Sequence, residues 1–448
     1  MPPQTLVVDN GSYTIKSGFA SENATLDDCR LIPNCLARSR DRRVLVASQL
    51  ETCRDFGGMM FRRPVEKGYL VNWEAEKEIW DLTFLDKESP LACQPQSTNL
   101  LLTEAPNAPV SLQNNTDQMV FEEYEFSSYL RCVAPSLIPW NHIPSLFDPS
   151  TTPTPSPPLP AEAALIIDTG FSHTHIVPTF SGQPYNTAIR RLDIGGKFLT
   201  NYLKELVSMR TWNMMDETHI MNTVKETTCF VSSNFSRDLE RCKRLSPSDN
   251  PIVRDYVLPD YNTGKLGFAR EHVARKSGPA GGDGDDEQVM VLSNERFCVP
   301  ELLFNPSDIG VKQAGLAEGV MQSLEMVPDQ LKPALLANIV IVGGNANIPG
   351  LKERFEADLR PMAPTEAVVR VAVPEDPVKA AWTGGVRYTG SADFRRRLVT
   401  RVEYMEHGLH WAQRKMAGED PVAGGELKET SAERDRRENR SHKKRRMD

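Results

Sequence analysis

Leu6-Val7-Val8-Asp9-Asn10-Gly11-Ser12 is an apolar run that stops abruptly in a small polar turn, and the pattern returns in Leu165-Ile166-Ile167-Asp168-Thr169-Gly170. Short apolar runs bounded by turn residues read as buried strands. The two aspartates stand 168 − 9 = 159 residues apart, which suggests a duplicated domain rather than a short repeat array. After the first turn, Thr14 to Phe19 reads as the return strand of a hairpin, and Thr174 to Pro178 does the same after the second. A third run, Ile339-Val340-Ile341-Val342-Gly343-Gly344-Asn345, ends in paired glycines.

Amphipathic stretches lie between these turns. Trp73 to Phe84 gathers Trp73, Ile79, Trp80 and Phe84 near one helical face, with its charged residues elsewhere. Met119 to Leu130, Lys197 to Val207, Glu217 to Phe230 and Pro349 to Leu359 carry similar patterns. Alternating strands and helices predict an α/β protein. A proline-rich stretch at 149–160 can neither complete a sheet nor enter a helix, and 276–287 is too polar and glycine-rich to bury surface. The first is expected to be an extended linker and the second a disordered insertion.

A chain of 448 residues predicts two or more domains. With 52 Lys and Arg against 60 Asp and Glu, the net charge of -8 argues against a body that coats nucleic acid. The 8 cysteines form no C-x-x-C pair, so reduced thiols in cytosol or nucleus are expected rather than a zinc site or disulfide framework. No run approaches the roughly 18 apolar residues needed to span a bilayer, and no basic region with an apolar stretch follows Met1. Membrane insertion and secretion are not expected.

A strand ending in Asp-x-Gly can form half of a phosphate clamp. Glycine permits the tight turn, small side chains free the backbone amides, and the carboxylate can hold a hydrated magnesium ion. Lys16 could add a point charge. A single such turn closes many ordinary hairpins, but two copies and the Gly343-Gly344 turn make a nucleotide site worth testing.

The chain resembles actin and the actin-related proteins. The resemblance rests on Asp9-Asn10-Gly11-Ser12 with Lys16 and Gly18-Phe19, Arg63-Pro64 with Gly68, Asn72-Trp73-Glu74, and Leu101-Leu102-Thr103-Glu104-Ala105-Pro106. It continues through Gln118-Met119-Val120-Phe121-Glu122, Lys225-Glu226-Thr227-Thr228-Cys229, Pro349-Gly350 and Ala381-Trp382-Thr383-Gly384-Gly385. Stretches such as Pro33-Asn34-Cys35-Leu36-Ala37-Arg38 and Tyr256-Val257-Leu258-Pro259-Asp260-Tyr261 are similar to a nuclear subclass. Its members are subunits of SWR-type chromatin-remodelling complexes, which exchange a core histone for its Z-type variant.

The resemblance implies an actin-like ATPase fold, with two duplicated ribonuclease-H-like domains around a nucleotide cleft. Residues 1–148 would form the first domain, completed by about 380–416, and 161–379 the second, with 417–448 as a charged basic tail. Asp9 and Asp168 would hold magnesium through water, while Gly11, Ser12, Tyr13, Lys16 and Gly170 would meet the phosphates of ATP or ADP. His175 would face the terminal phosphate. Gly196, Lys225, Glu226, Gly343, Gly344 and Lys379 would lie near the adenosine.

The departures shape the functional reading. The family usually has glycine where Tyr13 stands, and an acid and a glycine where Phe171 and Ser172 stand. The segment before Arg63 lacks a recognisable filament-forming loop. An ungapped count puts Ala134 where actins carry the glutamine that positions the attacking water. The expectation is therefore a noncatalytic structural subunit with nucleotide as a structural ligand and little or no hydrolysis. A small-molecule kinase and a cytoskeletal filament protein are the alternatives. Expected partners are the other subunits of a SWR-type complex, including its motor ATPase and a zinc-HIT subunit, with nucleosomes or histones met indirectly and no self-polymerisation. The clusters Arg434 to Arg440 and His442 to Arg446 read as a nuclear import signal, so the nucleus is expected, with a cytoplasmic pool.

Overall fold

Gln4–Asn10 pairs antiparallel with Thr14–Phe19, placing Asp9 opposite Lys16, and runs parallel to Thr98–Glu104 on its other side. Leu6, Val7 and Val8 are fully buried. Both faces of the strand are covered, which is why it reads as a continuous apolar run rather than an alternating one. Ser128–Val133 and Val399–Thr400 extend this six-stranded sheet at one edge and Arg30–Pro33 closes the other. The chain is described here by a computed structural model covering residues 3–53, 55–148, 150–151, 158–261, 263–273 and 287–419. The middle of the proline-rich stretch, at 152–157, and nearly all of the polar insertion and the basic tail lie outside these described residues.

The second sheet repeats the plan. Ala163–Thr169 pairs antiparallel with Thr174–Phe180, placing Asp168 opposite His175, and parallel with Ile339–Val342. In each sheet the aspartate sits near the carboxyl end of a hairpin strand flanked by a parallel neighbour. Crevices beyond the carboxyl ends of such strands are the usual ligand sites of α/β sheets. The fold is thus α/β, with two like halves.

Each half has its own core. Trp80, Phe84, Phe121, Tyr129 and Trp382 anchor the first, while Leu199, Leu203, Val224 and Phe355 anchor the second. Where the halves join, Ile138, Ile143, Ile166 and Val340 pack together in a smaller cluster. The helix Ala380–Thr389 crosses the turn Ala134–Trp140 at Gly384, where an added Cβ would lie 2.0 Å from the Leu137 carbonyl oxygen. No larger residue fits that approach. The chain then returns to the first core through Tyr404, Ala412 and Met416 on the helices Arg401–His407 and Leu409–Met416.

Helices occupy Trp73–Trp80, Gly196–Arg210, Thr218–Thr228 and Leu351–Leu359, near the expected bounds. The stretch Met119 to Leu130 departs from expectation. The helix is Val110–Gln118, Met119–Glu123 continues it as a wider turn, and Leu130 lies in the strand Ser128–Val133. Asp117 is that helix's one buried residue, so it offers no apolar face to read. The apparent period came from the buried Val120, Phe121 and Leu130, which serve two different elements. All eight cysteines are free, and no described helix is long and apolar enough to cross a membrane.

Candidate functional site

The two hairpin turns face each other across a cleft between the halves. Asp9, Gly11, Ser12, Tyr13, Lys16, Asp168, Gly170, His175 and Gly343 all line it. Gly343 adopts φ +91, and a Cβ there would meet the Thr169 carbonyl oxygen at 2.5 Å and Asp168 Oδ1 at 2.9 Å. The close approach of these two turns therefore requires glycine.

The carboxylate end of the cleft has the makings of a cation site. Asp9 Oδ2 lies 3.0 Å from Lys16 Nζ, and Asp9 Oδ1 accepts a hydrogen bond of 2.7 Å from Thr103 Oγ1. Burial and the neighbouring Asp9 charge push the Asp168 carboxyl up to about 6, with Lys16 pulling the other way. Burial works against the Lys16 ammonium, yet Asp9 outweighs it and the pKa ends above the ordinary value. A hydrated divalent ion beside these two carboxylates would relieve this repulsion, with water or phosphate oxygens completing its shell. Burial, then His173 and Arg191, lower His175 to about 3, so its ring is neutral near pH 7, and its Nε2 has no partner.

The nucleoside end is different. Gly196, Lys225, Glu226, Gly344 and Lys379, which the resemblance places near adenosine, do not line this cleft. Lys225 Nζ donates to Gly196 O at 3.2 Å, Thr200 Oγ1 at 3.1 Å and Asn222 Oδ1 at 3.0 Å, so its three protons are committed internally. Asn222 Nδ2 donates both to Glu226 Oε1 at 2.7 Å and to the Tyr13 hydroxyl at 3.1 Å. Lys379 Nζ donates to the Leu26 carbonyl at 2.8 Å in the first half. Gly344 begins the turn Gly344–Asn347 beside open space.

The loops themselves touch. Ser172 Oγ donates to Ser12 Oγ at 2.9 Å, and the Tyr13 and Phe171 rings pack with centroids 4.7 Å apart. Arg63 lays its guanidinium 4.6 Å from the Tyr13 centroid and 5.1 Å from that of Phe171. The residues present thus fit magnesium and phosphate oxygens at the carboxylate end, whereas Lys225, Glu226 and Lys379, expected to meet a nucleoside, bond within the protein instead.

Several of these residues were not among the predicted site. Thr103 and Arg63 belong to stretches that carry the family resemblance, but their partners come from another strand and from distant turns. Asn222 stands three and four positions before Lys225 and Glu226, the spacing that aligns residues on one helical face, and that signal was available in the sequence.

The family model for Actin matches residues 2–417. The chain belongs to the actin family. It is 48% identical to Actin-like protein arp6 of Aspergillus fumigatus, over 93% of this chain and 96% of that one. Actin-related protein 6 of Neurospora crassa is 46% identical over 94% and 96%, and Actin-related protein 6 of Drosophila melanogaster is 37% identical over 91% and 98%. Among actin-family proteins it is thus similar to the actin-related protein 6 kind along nearly its whole length.

Proposed function

We propose that the chain is a noncatalytic subunit of a nuclear chromatin-remodelling complex, in which it supports exchange of a core histone for its Z-type variant. One observation carries the noncatalytic part: Ala134 and Pro135 form the cleft wall where a water-positioning side chain would be needed. Positioning supplies most of the catalysis in phosphoryl transfer, and a methyl group holds no water in line. Buried His175 alone lacks the second group for that task.

A kinase reading finds no base. The carboxylates lining the cleft are Asp9, Glu104 and Asp168. Asp9 is engaged by Lys16 and Thr103, and Glu104 Oε1 lies 3.0 Å from Arg131 Nη1. Asp168 belongs to the candidate cation site. None is left to accept a proton from an incoming hydroxyl.

The likeness to actin-related protein 6 relatives supports the choice of complex. The partners would be its motor ATPase and a zinc-HIT subunit, with histones or nucleosomes contacted through the assembly. The basic clusters beyond residue 419 would direct the chain to the nucleus, with a cytoplasmic pool before import. Affinity purification of the full chain from nuclear extract tests this reading. The motor ATPase and zinc-HIT subunit should come with it in fixed ratio, whereas recovery of the chain alone or with cytoskeletal proteins would refute it.

A further inference from the structure

The two loops that should grip a nucleotide grip each other. Tyr13 leaves the first loop, packs on Phe171 of the second and reaches Asn222 with its hydroxyl, so one side chain spans from the phosphate turn to the adenosine-side helix. Phe171 is held in place from behind. Its carbonyl accepts from the Lys197 amide at 2.8 Å, the Gly170 carbonyl accepts from the Gly196 amide at 3.0 Å, and the Phe171 ring lies 3.4 Å from where a Gly196 Cβ would be. Arg63 caps both rings and donates to the Tyr13 carbonyl at 3.2 Å and the Asn34 carbonyl at 3.3 Å. The Tyr13 ring here takes the volume that the family's usual glycine would leave open, and Phe171 puts an aromatic ring where the family usually has an acid.

The outer lips are joined as well. Phe56 stacks on His219 with centroids 4.0 Å apart, and the Gly58 amide donates to Glu217 Oε1 at 3.2 Å. The halves are therefore bridged at two depths by side chains of the protein itself. In a fold held shut by a ligand, stability rises with ligand concentration, whereas an intramolecular clasp carries no such dependence.

We propose that Tyr13, Phe171 and Arg63 form a clasp that occupies the nucleoside end of the cleft, so that this chain stays closed without ATP or ADP. The carboxylate end remains open to magnesium and small phosphates. This inference does not depend on which complex the chain joins, because its readouts are nucleotide content and melting temperature of the purified protein.

The experiment uses the full chain purified without added nucleotide. Denaturation and chromatography should release no stoichiometric ATP or ADP, and at a fixed magnesium concentration added ATP or ADP should leave the melting temperature unchanged. Phe171→Gly and the milder Tyr13→Phe, which removes only the link to Asn222, should each melt lower than wild type. The milder variant keeps the test open if the first does not fold. About one nucleotide per wild-type chain, a rise in melting temperature with either nucleotide beyond that with magnesium alone, or a Tyr13→Phe variant as stable as wild type would overturn the proposal.

Discussion

Glu76 is fully buried beneath the first loop, where its Oε1 accepts a 2.9 Å hydrogen bond from Trp80 Nε1. Burial pushes this carboxyl from 4.5 up to about 7, against the Asn10, Trp80 and Asn34 side chains, which pull it down. Its Oε2 and the amide oxygens of Asn10 and Asn34 all lack a donor, and a protonated carboxyl supplies one. Asn34 Nδ2 meanwhile donates to the Gly11 carbonyl at 2.9 Å, so the buried acid helps to hold the loop. Between pH 4.5 and 7 the unfolded chain releases this proton while the folded chain keeps it, so stability falls as pH rises through that window. Glu76→Gln removes this loss. Its unfolding free energy relative to wild type should increase by on the order of 3 kcal/mol from about pH 4.5 to about pH 8. A difference that stays flat across that range in urea titrations would show that Glu76 is ionised in the fold. Asp9 and Asp168 were legible in the sequence because a strand, a turn and a carboxylate are local features. Tyr13 and Phe171 could be seen there as departures. That they meet each other was not legible, because their contact spans two halves far apart in the chain.

At the scale of elements, one buried ion cluster ties four of them together. Arg131 on the strand Ser128–Val133 donates to Glu104 of Thr98–Glu104 at 3.0 Å and to Asp117 of the helix Val110–Gln118 at 3.1 Å. Gln413 of Leu409–Met416 adds a 3.0 Å bond to Asp117. Burial raises the Asp117 pKa, with Arg131 working against it. Removing the cation strands two carboxylates in the interior. Arg131→Ala should therefore cost roughly 3–5 kcal/mol in urea denaturation, largely unaffected by salt because the cluster is buried. A loss below about 1 kcal/mol would mean that water enters and solvates the acids. This cluster also explains the misread helix. Val110–Gln118 is anchored through a charged residue, so hydrophobic periodicity had nothing there to detect. Elements with an apolar face, such as Gly196–Arg210, were found close to their bounds for the opposite reason.

Across the whole molecule, the segment preceding Arg63 folds back on the protein. Val44–Val46, Leu36–Arg38 and Met60–Arg62 form a small sheet, and Phe56 and Gly58, just before its last strand, contact His219 and Glu217 of the second half. That segment is engaged with its own molecule, and a head-to-tail filament needs a free complementary surface at every contact. With magnesium, salt and ATP the chain should stay in the supernatant on sedimentation, and ordered filaments in the electron microscope would contradict this. The duplicated halves were legible from the two Asp-bearing turns alone, while the cross-cleft contacts required the fold. The central claim is that the chain works as a structural part of a histone-exchanging machine. Its most direct test is exchange of the Z-type variant into nucleosomes by the complex purified from cells lacking the chain, with and without purified full-length chain added back. The account predicts weak exchange without it and recovery on addition. Full exchange by the complex lacking it would contradict the account.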